Sequence, residues 1–463
     1  MSQTEVLQIA CGTSCYPPVP CPSLFYGNPN KGGDTKIKFL YLYLHGINCF
    51  IMILKNIQFS NYSGLRDGQI DFDRHLTVIS GKNGSGKTSL LKTVSIVVSW
   101  IIARIKSEKG NGTYIPADSI TNGYQDAMIE AVFDEIGSVR IPNKAKSGLT
   151  KTYVLDLDGI KQYAGGIRQA IEATNFKCSI PIFAFYGVKR AVIDMPLRIR
   201  NKEEELLDTY NDCLNGAANF RDFFMWFRNQ EDLENEMRVR PATAGDRFTR
   251  ELDAFRNAMK IFLPDYTDIH IRRRPLRMVV KKQGTEVNVS QLSDGEKIYL
   301  ALIGDLCRKL VLANPTMDDP LQGEGIVMID EIDLHLHPKW QGEFATRLTT
   351  VFPNIQFIVT THSPQVLNRV PATSVRALND GTVNHVDYSY GLPSRIILKD
   401  IMDLEHEQPE EIEKALDAVY GALRDGDLHS AKSRYASIRS QVPYHPDLVR
   451  IQKIIDRAER GEK

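Results

Sequence analysis

The sequence predicts an α/β fold that ends in a helical region, and three observations support this. A glycine-rich loop at 81–88 lies between a short apolar run and a helical pattern. Short apolar runs typical of buried parallel strands recur at 326–329 and 356–359. From 404 to 463, apolar residues recur at helical spacing between glycine and proline turns. Strands alternating with helices indicate a mainly parallel sheet.

The bulk composition limits the class of protein. A chain of 463 residues suggests two or three domains, and 42% hydrophobic with 25% charged residues is ordinary for a soluble globular protein. The 57 basic side chains equal the 57 acidic ones, so overall charge provides no attraction to nucleic acid or to anionic membranes. Any nucleic-acid site must therefore be a local patch. The seven cysteines, several of them scattered, fit a reducing cytoplasm.

The first 51 residues are expected to be irregular, because proline, glycine and serine are frequent and no period is visible. The apolar stretch at 39–51 is too short and too polar for a membrane span, and nothing there resembles a signal peptide. An orderly first strand begins at Met52, so we expect native translation to start there and residues 1–51 to be dispensable. The spacing of Cys11, Cys15 and Cys21 lacks the second pair that a zinc site would need.

The loop at 81–88 fits the pattern G-x-x-x-x-G-K-[ST], which wraps nucleotide phosphates. Its glycines let backbone N–H groups face the phosphates, and the N-terminus of the following helix favours anions. Lys87 would reach the β- and γ-phosphates, and the Thr88 hydroxyl would bind Mg²⁺. The residues predicted to contact ATP here are Gly81, Asn83, Gly84, Ser85, Gly86, Lys87, Thr88 and Ser89.

The middle of the chain is predicted to form strands at 152–157 and 180–186, followed by helices across 200–262. Aromatic residues at helical spacing in 220–227 favour packing over a base-stacking platform. Strands at 269–290 turn at 283–285, and a helix follows at 295–312.

The tail predicts three helices, at 412–423, 428–442 and 446–462. Residues 422–435 fit one tetratricopeptide-like helix pair, but a single unit does not make a repeat array. We therefore expect a helical interaction domain.

Two later segments place polar residues at the ends of apolar strands. Asp330 and Glu331 follow the strand 326–329: Asp330 would bind Mg²⁺ through water, and Glu331 would act as the general base on the attacking water. His362 follows the strand 356–359 and resembles the switch histidine of ABC-type ATPases, which contacts the γ-phosphate.

A third segment, at 291–297, combines a serine and a glycine at a predicted helix start, where a hydroxyl and N–H groups face an anion. By itself the segment is also compatible with a simple helix cap. The residues predicted to contact nucleotide are Leu292, Ser293, Asp294, Gly295 and Glu296.

Together these motifs resemble ABC-type ATPases. The forms D-E-I-D-L-H-L-H-P at 330–338, T-T-H-S-P at 360–364 and Y-G-V-K-R at 186–190 resemble the RecF/SMC/overcoming-lysogenization branch rather than transporter ATPases. The resemblance covers roughly 52–400 and is closest to the ATPase subunit of the Septu antiphage system, the PtuA type, including retron-associated relatives.

The resemblance implies an ABC-type P-loop ATPase head at 52–400 with a helical insertion at about 194–264, and a helical domain at 401–463. It implies ATP and Mg²⁺ as cofactors and a homodimer or higher assembly in a cytoplasmic, non-membrane protein. Two ATP molecules would lie between two heads, each bound by Lys87 of one chain and Ser293 of the other. The implied partners are a separate HNH-type nuclease and nucleic acid, either DNA or retron msDNA.

Other functions stay open at this point. The chain could instead be a RecF-like repair ATPase that clamps DNA, or a self-contained nuclease of the overcoming-lysogenization type. The 205 residues between Lys87 and Leu292 show no sustained heptads, which argues against a long coiled-coil arm. Glu405, Glu407, Glu410 and Glu411 fit a solvated helix start better than a nuclease cluster. A transporter motor is disfavoured by the motif variants.

Two features have no settled role. Gln125 and Gln162 are candidates for the glutamine that ABC-type sites place beside the metal, and neither has support from its surroundings. Two basic groups could contact a phosphate backbone or simply face solvent. The groups are Arg272, Arg273, Arg274, Arg277, Lys281 and Lys282, and Lys189, Arg190, Arg198, Arg200 and Lys202.

Overall fold

A computed structural model of the chain describes residues 52–65, 67–143, 153–191, 204–239, 247–403 and 408–460. The chain divides into two units, Met1–Cys49 and Phe50–Lys463, and all described residues belong to the second. The predictions for 1–51, including the cysteine spacing and the apolar stretch, lie outside the described residues.

Strands and helices alternate along the described chain. The strands are β1 (Leu54–Ser60), β2 (Gly68–Asp71), β3 (Leu76–Ser80), β4 (Met128–Phe133), β5 (Gly137–Pro142), β6 (Ile182–Ala191), β7 (Gly216–Ala218), β8 (Tyr266–Arg273), β9 (Leu276–Lys282), β10 (Thr285–Asn288), β11 (Gly325–Ile329), β12 (Ile355–Thr361), β13 (Val375–Asn379) and β14 (Thr382–His385). The longer helices are α1 (Lys87–Lys106), α2 (Asp158–Thr174), α3 (Phe220–Val239), α4 (Arg247–Phe262), α5 (Asp294–Ala313), α6 (Pro338–Val351), α7 (Pro364–Leu367), α8 (Glu410–Arg424), α9 (Leu428–Gln441) and α10 (Pro446–Glu459).

The central sheet has the strand order β14-β13-β3-β12-β11-β6-β7. Its pairs are parallel except for β13 with β14. Every residue of β3, β11 and β12 is buried, because the sheet is covered on both faces. The strands predicted at 326–329 and 356–359 are therefore confirmed as buried parallel strands.

A second, antiparallel sheet has the order β2-β1-β4-β5. It joins the central sheet through the buried side chain of Gln356 on β12. The Gln356 Oε1 accepts the Leu54 N–H at 3.0 Å, and its Nε2 donates to the Leu54 and Asp73 carbonyls at 2.9 and 2.8 Å. The Gln356 side-chain amide therefore bonds to the backbone of β1 as a neighbouring strand would.

In the segment predicted to be a helical insertion, α3 and α4 pack through aromatic side chains. Phe220, Phe223, Phe224 and Phe227 on α3 are at most 1% exposed, and the Phe223 ring lies 5.0 Å from that of Phe255 on α4. This confirms the packing interpretation of the aromatic run. Within the predicted insertion, β7 pairs with β6 and so extends the central sheet.

A small antiparallel sheet, β10-β9-β8, follows the insertion and leads into α5. The predicted turn at 283–285 is confirmed, with Gln283 and Gly284 at positive φ between β9 and β10.

The strand predicted at 152–157 is wrong for the part that is described. Only Asp156 forms a bridge, to Arg140, before α2 begins at Asp158. Val154 is 68% exposed, so this apolar residue covers no sheet face. A strand forms only where a neighbour pairs with it, and the local pattern does not supply one.

The three predicted C-terminal helices are confirmed as α8, α9 and α10. They share a core of their own, formed by Leu416, Val419, Tyr435, Ile438, Leu448, Ile451 and Ile455. By length and composition α1 could cross a membrane, yet 61% of that stretch is buried, where it packs on β12 and α2.

Candidate active site

The predicted nucleotide site lies where three neighbouring parallel strands end. The phosphate loop follows β3, the segment from Thr361 to His362 ends β12, and Asp330 follows β11. Because the carboxyl ends of parallel strands meet at one edge of a sheet, the fold brings these segments together.

The phosphate loop needs glycine at particular positions. Gly84 and Gly86 have φ of 79° and 103°, which favours residues without a side chain. A Cβ on Gly81 would lie 2.3 Å from the Leu378 carbonyl oxygen of β13. The loop is therefore closely packed against β13, and its curvature depends on these three residues.

The Lys87 ammonium is held inside the loop. Its Nζ donates to the Gly81 and Lys82 carbonyls at 2.8 and 2.9 Å, and the residue is 6% exposed. Burial lowers the pKa of Lys87, although the nearby carboxylates of Asp330 and Glu331 oppose this shift. A buried ammonium with two carbonyl partners is well placed to exchange them for phosphate oxygens.

Asp330 connects the loop to β12. Its Oδ2 accepts the Thr88 hydroxyl at 2.8 Å and its Oδ1 accepts the Thr360 hydroxyl at 2.6 Å, while the residue is 2% exposed. A hydroxyl and a carboxylate side by side supply the hard oxygen atoms that Mg²⁺ prefers. Among the described residues no group of three metal-ligating side chains is found, but Mg²⁺ in such sites takes its other ligands from phosphates and water.

Glu331 adopts a left-handed backbone, with φ of 48°. Its N–H donates to the Thr360 hydroxyl at 2.7 Å, so Thr360 contacts both acidic residues. A non-glycine residue in this region is uncommon and is found where the surroundings fix it. The conformation turns the chain sharply after β11 and sets the direction of the Glu331 side chain.

His362 is anchored by Asp333. The Asp333 Oδ1 accepts the Thr361 hydroxyl at 2.5 Å and the His362 N–H at 3.3 Å. Partial burial lowers the pKa of His362, and the positive charge of Lys87 lowers it further. The imidazole is therefore neutral at pH 7 and can donate one ring N–H to a phosphate oxygen.

The segment 292–296 begins α5 with a reciprocal cap. The Ser293 Oγ accepts the Glu296 N–H at 3.4 Å, and the Glu296 Oε2 accepts the Ser293 N–H at 2.8 Å. A Cβ on Gly295 would lie 2.4 Å from the His335 carbonyl oxygen. The helix start therefore packs against the segment that follows Glu331.

The structure thus groups Lys87, Thr88, Asp330, Glu331 and His362 at one sheet edge. The hydrogen bonds of Ser293 and Glu296 are made with each other and with the small sheet instead. The predicted roles of both sets stay predictions.

Gln125 and Gln162 are both exposed, and neither gains support for a role at the metal. Of the acidic residues before the C-terminal helices, Glu410 and Glu411 begin α8, while Glu405 and Glu407 lie outside the described residues.

Half of the basic group in the small sheet is paired with acidic side chains. Arg272 contacts Glu286, Arg273 contacts Asp232, and Lys282 contacts Glu296. The second basic group lies at residues whose side chains are outside the described part.

Sequence reasoning missed Thr360 and Asp333. Both belong to the motifs at 330–338 and 360–364: Thr360 directly precedes Thr361, and Asp333 comes three residues after Asp330. Their hydroxyl and carboxylate chemistry beside the predicted catalytic positions was the available signal.

Two family models match the chain. One, described as "AAA domain", matches residues 42–260, and one described as "AAA domain, putative AbiEii toxin, Type IV TA system" matches residues 216–368.

Curated relatives match along most of the chain. The protein named "Retron Ec83 probable ATPase" from Escherichia coli is 30% identical over 419 residues, which cover 77% of each chain. "Retron Vc95 probable ATPase" from Vibrio cholerae is 28% identical and covers 76% of this chain and 78% of its own. "Septu protein PtuA" from Bacillus thuringiensis is 24% identical and covers 79% and 90%.

Among solved structures, the SMC head domain from Thermotoga maritima matches with a TM-score of 0.39 at 16% identity. The match covers 72% of this chain and 99% of that one.

Proposed function

Because the chain belongs to the family of the retron and Septu ATPases, in the RecF/SMC branch, we propose that it is the ATPase subunit of an antiphage defence complex. Two copies bind two ATP molecules between them, and the cycle of binding and hydrolysis controls a separate HNH-type nuclease. The head at 52–400 carries the chemistry, and the helices at 401–463 serve as an interaction domain. The complex works in the cytoplasm.

The observation that carries the proposal is the cluster around Asp330. One carboxylate, 2% exposed, joins the Thr88 hydroxyl of the phosphate loop to the Thr360 hydroxyl of β12. A buried charge is retained only where its partners compensate it. Here the partners are the groups that an ATP–Mg²⁺ site needs, which supports hydrolysis over a purely structural role.

Each residue then has a task. Lys87 leaves the Gly81 and Lys82 carbonyls and binds the β- and γ-phosphates, while the loop N–H groups surround the phosphate oxygens. Glu331 orients the attacking water and accepts its proton. His362 donates a hydrogen bond to the γ-phosphate. Thr88 and Asp330 would hold Mg²⁺, which neutralises charge on the phosphate oxygens when bound.

The second half of the site comes from the partner copy. Ser293 and Gly295 present a hydroxyl and N–H groups at the start of a 20-residue helix, where anions bind favourably. Within one chain, Ser293 and Glu296 exchange hydrogen bonds with each other at the start of this helix. We therefore assign this helix start to the ATP bound by the opposite chain, which makes closure of the dimer depend on ATP.

Nucleic acid, either DNA or retron msDNA, is proposed as a further partner through a local basic surface. The pairing of Arg272, Arg273 and Lys282 with acidic residues leaves Arg274, Arg277 and Lys281 as the stronger candidates in the small sheet. If these side chains bind phosphates, the affinity should fall between about 50 and 200 mM salt, by about tenfold for every two phosphates that the surface neutralises.

The test is the variant Glu331→Gln, which keeps the shape of the side chain and removes the base. Mass measurement in solution is expected to show an ATP-dependent dimer that persists, while hydrolysis falls by at least about 100-fold. Glu236→Gln, at an exposed position on α3, is the matched control and should hydrolyse ATP at the normal rate. Unchanged turnover by Glu331→Gln would refute the assignment of the base, and a monomer with bound ATP would refute the dimer.

A further inference from the structure

The small sheet β10-β9-β8 inserts two side chains beneath the first turn of α5. The Glu296 carboxylate, 7% exposed, accepts a hydrogen bond from the Lys282 ammonium at 2.7 Å and another from the Tyr266 hydroxyl. The Lys282 Nζ lies 5.3 Å from the centre of the Tyr266 ring, so the two donors support each other as well. Lys282 and Tyr266 come from the two strands of one hairpin.

This carboxylate is also the one that holds Ser293. The Glu296 Oε2 accepts the Ser293 N–H at 2.8 Å, and the Ser293 hydroxyl accepts the Glu296 N–H in return. Burial alone would raise the pKa of Glu296, but the hydrogen bonds from Lys282, Tyr266 and Ser293 lower it to about 2. The carboxylate is therefore ionised at neutral pH, and both of its oxygens accept hydrogen bonds.

The hairpin is fixed at its other end too. On α3, the Glu231 carboxylate accepts the Ile271 N–H at 3.2 Å and the Arg273 guanidinium at 3.0 Å. Arg273 also contacts Asp232. Polar contacts at both of its ends therefore connect the hairpin to α3 and to the start of α5.

We propose that Lys282 and Tyr266 are positioning residues for Ser293, acting through Glu296 to set the first turn of α5 for the ATP held by the partner copy. The inference rests on the proposed dimer. Without the ammonium, a buried carboxylate loses its main partner, and it either turns toward solvent or takes up a proton. In both cases its hydrogen bond with the Ser293 N–H is lost or weakened, and the direction of the Ser293 hydroxyl is less firmly fixed.

The variants that test this proposal distinguish the charge of Lys282 from the shape of its side chain. Lys282→Met keeps the stem of the side chain and removes the charge, and Lys282→Arg restores it. Tyr266→Phe removes only the hydroxyl and tests the same link in a milder way. Lys260→Met is the control, because Lys260 is exposed on α4 and its hydrogen bond goes to Asn257 of the same helix.

All variants are made in the full chain, both alone and combined with Glu331→Gln. Three quantities are measured: the affinity of the chain for a fluorescent ATP analogue, the ATP concentration that gives half-maximal dimer, and the rate of hydrolysis. A thermal unfolding curve is recorded for each variant.

With Lys282→Met, the ATP concentration for half-maximal dimer is expected to rise at least about tenfold and kcat to fall about tenfold. Affinity for the analogue should stay within about twofold, because the phosphate loop of the same chain is untouched. Tyr266→Phe should move the same two quantities in the same direction by about threefold. Lys282→Arg should recover most of the loss, and Lys260→Met should behave as the parent.

Normal dimer formation by Lys282→Met and Tyr266→Phe, with the Glu331→Gln parent forming its dimer, would overturn this inference and leave the proposed function intact. A loss that Lys282→Arg does not recover would also overturn it. A Glu331→Gln parent that stays monomeric with ATP would overturn the proposed function itself, and this inference with it.

Discussion

Gln356 is expected to determine how firmly the antiparallel sheet is attached to the central one. It is 2% exposed, and its amide makes three hydrogen bonds to the backbone, two of them with Leu54. The variant Gln356→Leu keeps the side-chain volume but removes both the donor and the acceptor. The Leu54 N–H and carbonyl, on a residue that is 0% exposed, would then have no partner in the side chain.

The three bonds set the size of the effect. Each contributes about 1 kcal/mol net, and a buried group left unpaired costs about 1–3 kcal/mol, so local opening of β1 should become easier by about 3 kcal/mol. This corresponds to about 100-fold faster amide exchange in β1, since each 1.4 kcal/mol is a factor of ten.

Hydrogen exchange followed by mass spectrometry measures this directly. Peptides covering β1 should exchange faster in Gln356→Leu, while peptides covering β11 keep their protection. Gln69→Leu is the matched control, because Gln69 is exposed and its contact with Gln58 is long, at 3.4 Å. Unchanged protection of β1 in Gln356→Leu would refute the argument that this amide joins the sheets.

Other variants probe the acidic cluster, the start of α5 and the N-terminal extension. Thr360→Val should lower kcat about 10- to 100-fold, because it removes the hydroxyl that bonds to both Asp330 and Glu331, while the affinity for ATP stays within about threefold of that of the parent. A loss of ATP affinity as large as the loss of kcat, measured in a binding assay, would contradict this prediction. The pKa of Glu296, about 2, lies below its value of about 4.3 in the unfolded chain, so the contribution of Glu296 to stability is fully present above about pH 4.3 and is lost as the pH falls toward 2. Thermal unfolding between about pH 5 and 3 should therefore show decreasing stability, with a smaller decrease in Lys282→Met. An equal decrease in both proteins would argue against this role of Glu296. A chain that begins at Met52 should fold and hydrolyse ATP at the normal rate; a purified truncation without activity would refute this.

The sequence was sufficient for the features that depend on neighbouring residues. Buried parallel strands appear as continuous apolar runs, so β11 and β12 were predictable, and the glycines of the phosphate loop indicate where the backbone needs positive φ. Asp330 and His362 follow such strands directly. Once the strands are correct, the topology of a parallel sheet brings their carboxyl ends to one edge.

Features that depend on distant residues were not predictable from a local pattern. Gln356 is a single polar residue in an apolar run, and its partner Leu54 lies 302 residues earlier. The segment at 152–157 has strand composition, but of its described residues only Asp156 pairs with a strand, at Arg140 of β5. In the basic group, Arg273 pairs with residues of α3, so its charge does not indicate a free basic surface.

An experiment that mixes two inactive variants tests whether each ATP site is built from two chains. Lys87→Ala removes the phosphate lysine, and Ser293→Ala removes the hydroxyl that reaches across. Each variant alone should be inactive. A mixed dimer restores one complete site, so an equal mixture should recover about one quarter of the normal ATP hydrolysis rate if chains exchange freely. A mixture that exchanges chains and stays inactive would show that the site is not shared between two copies.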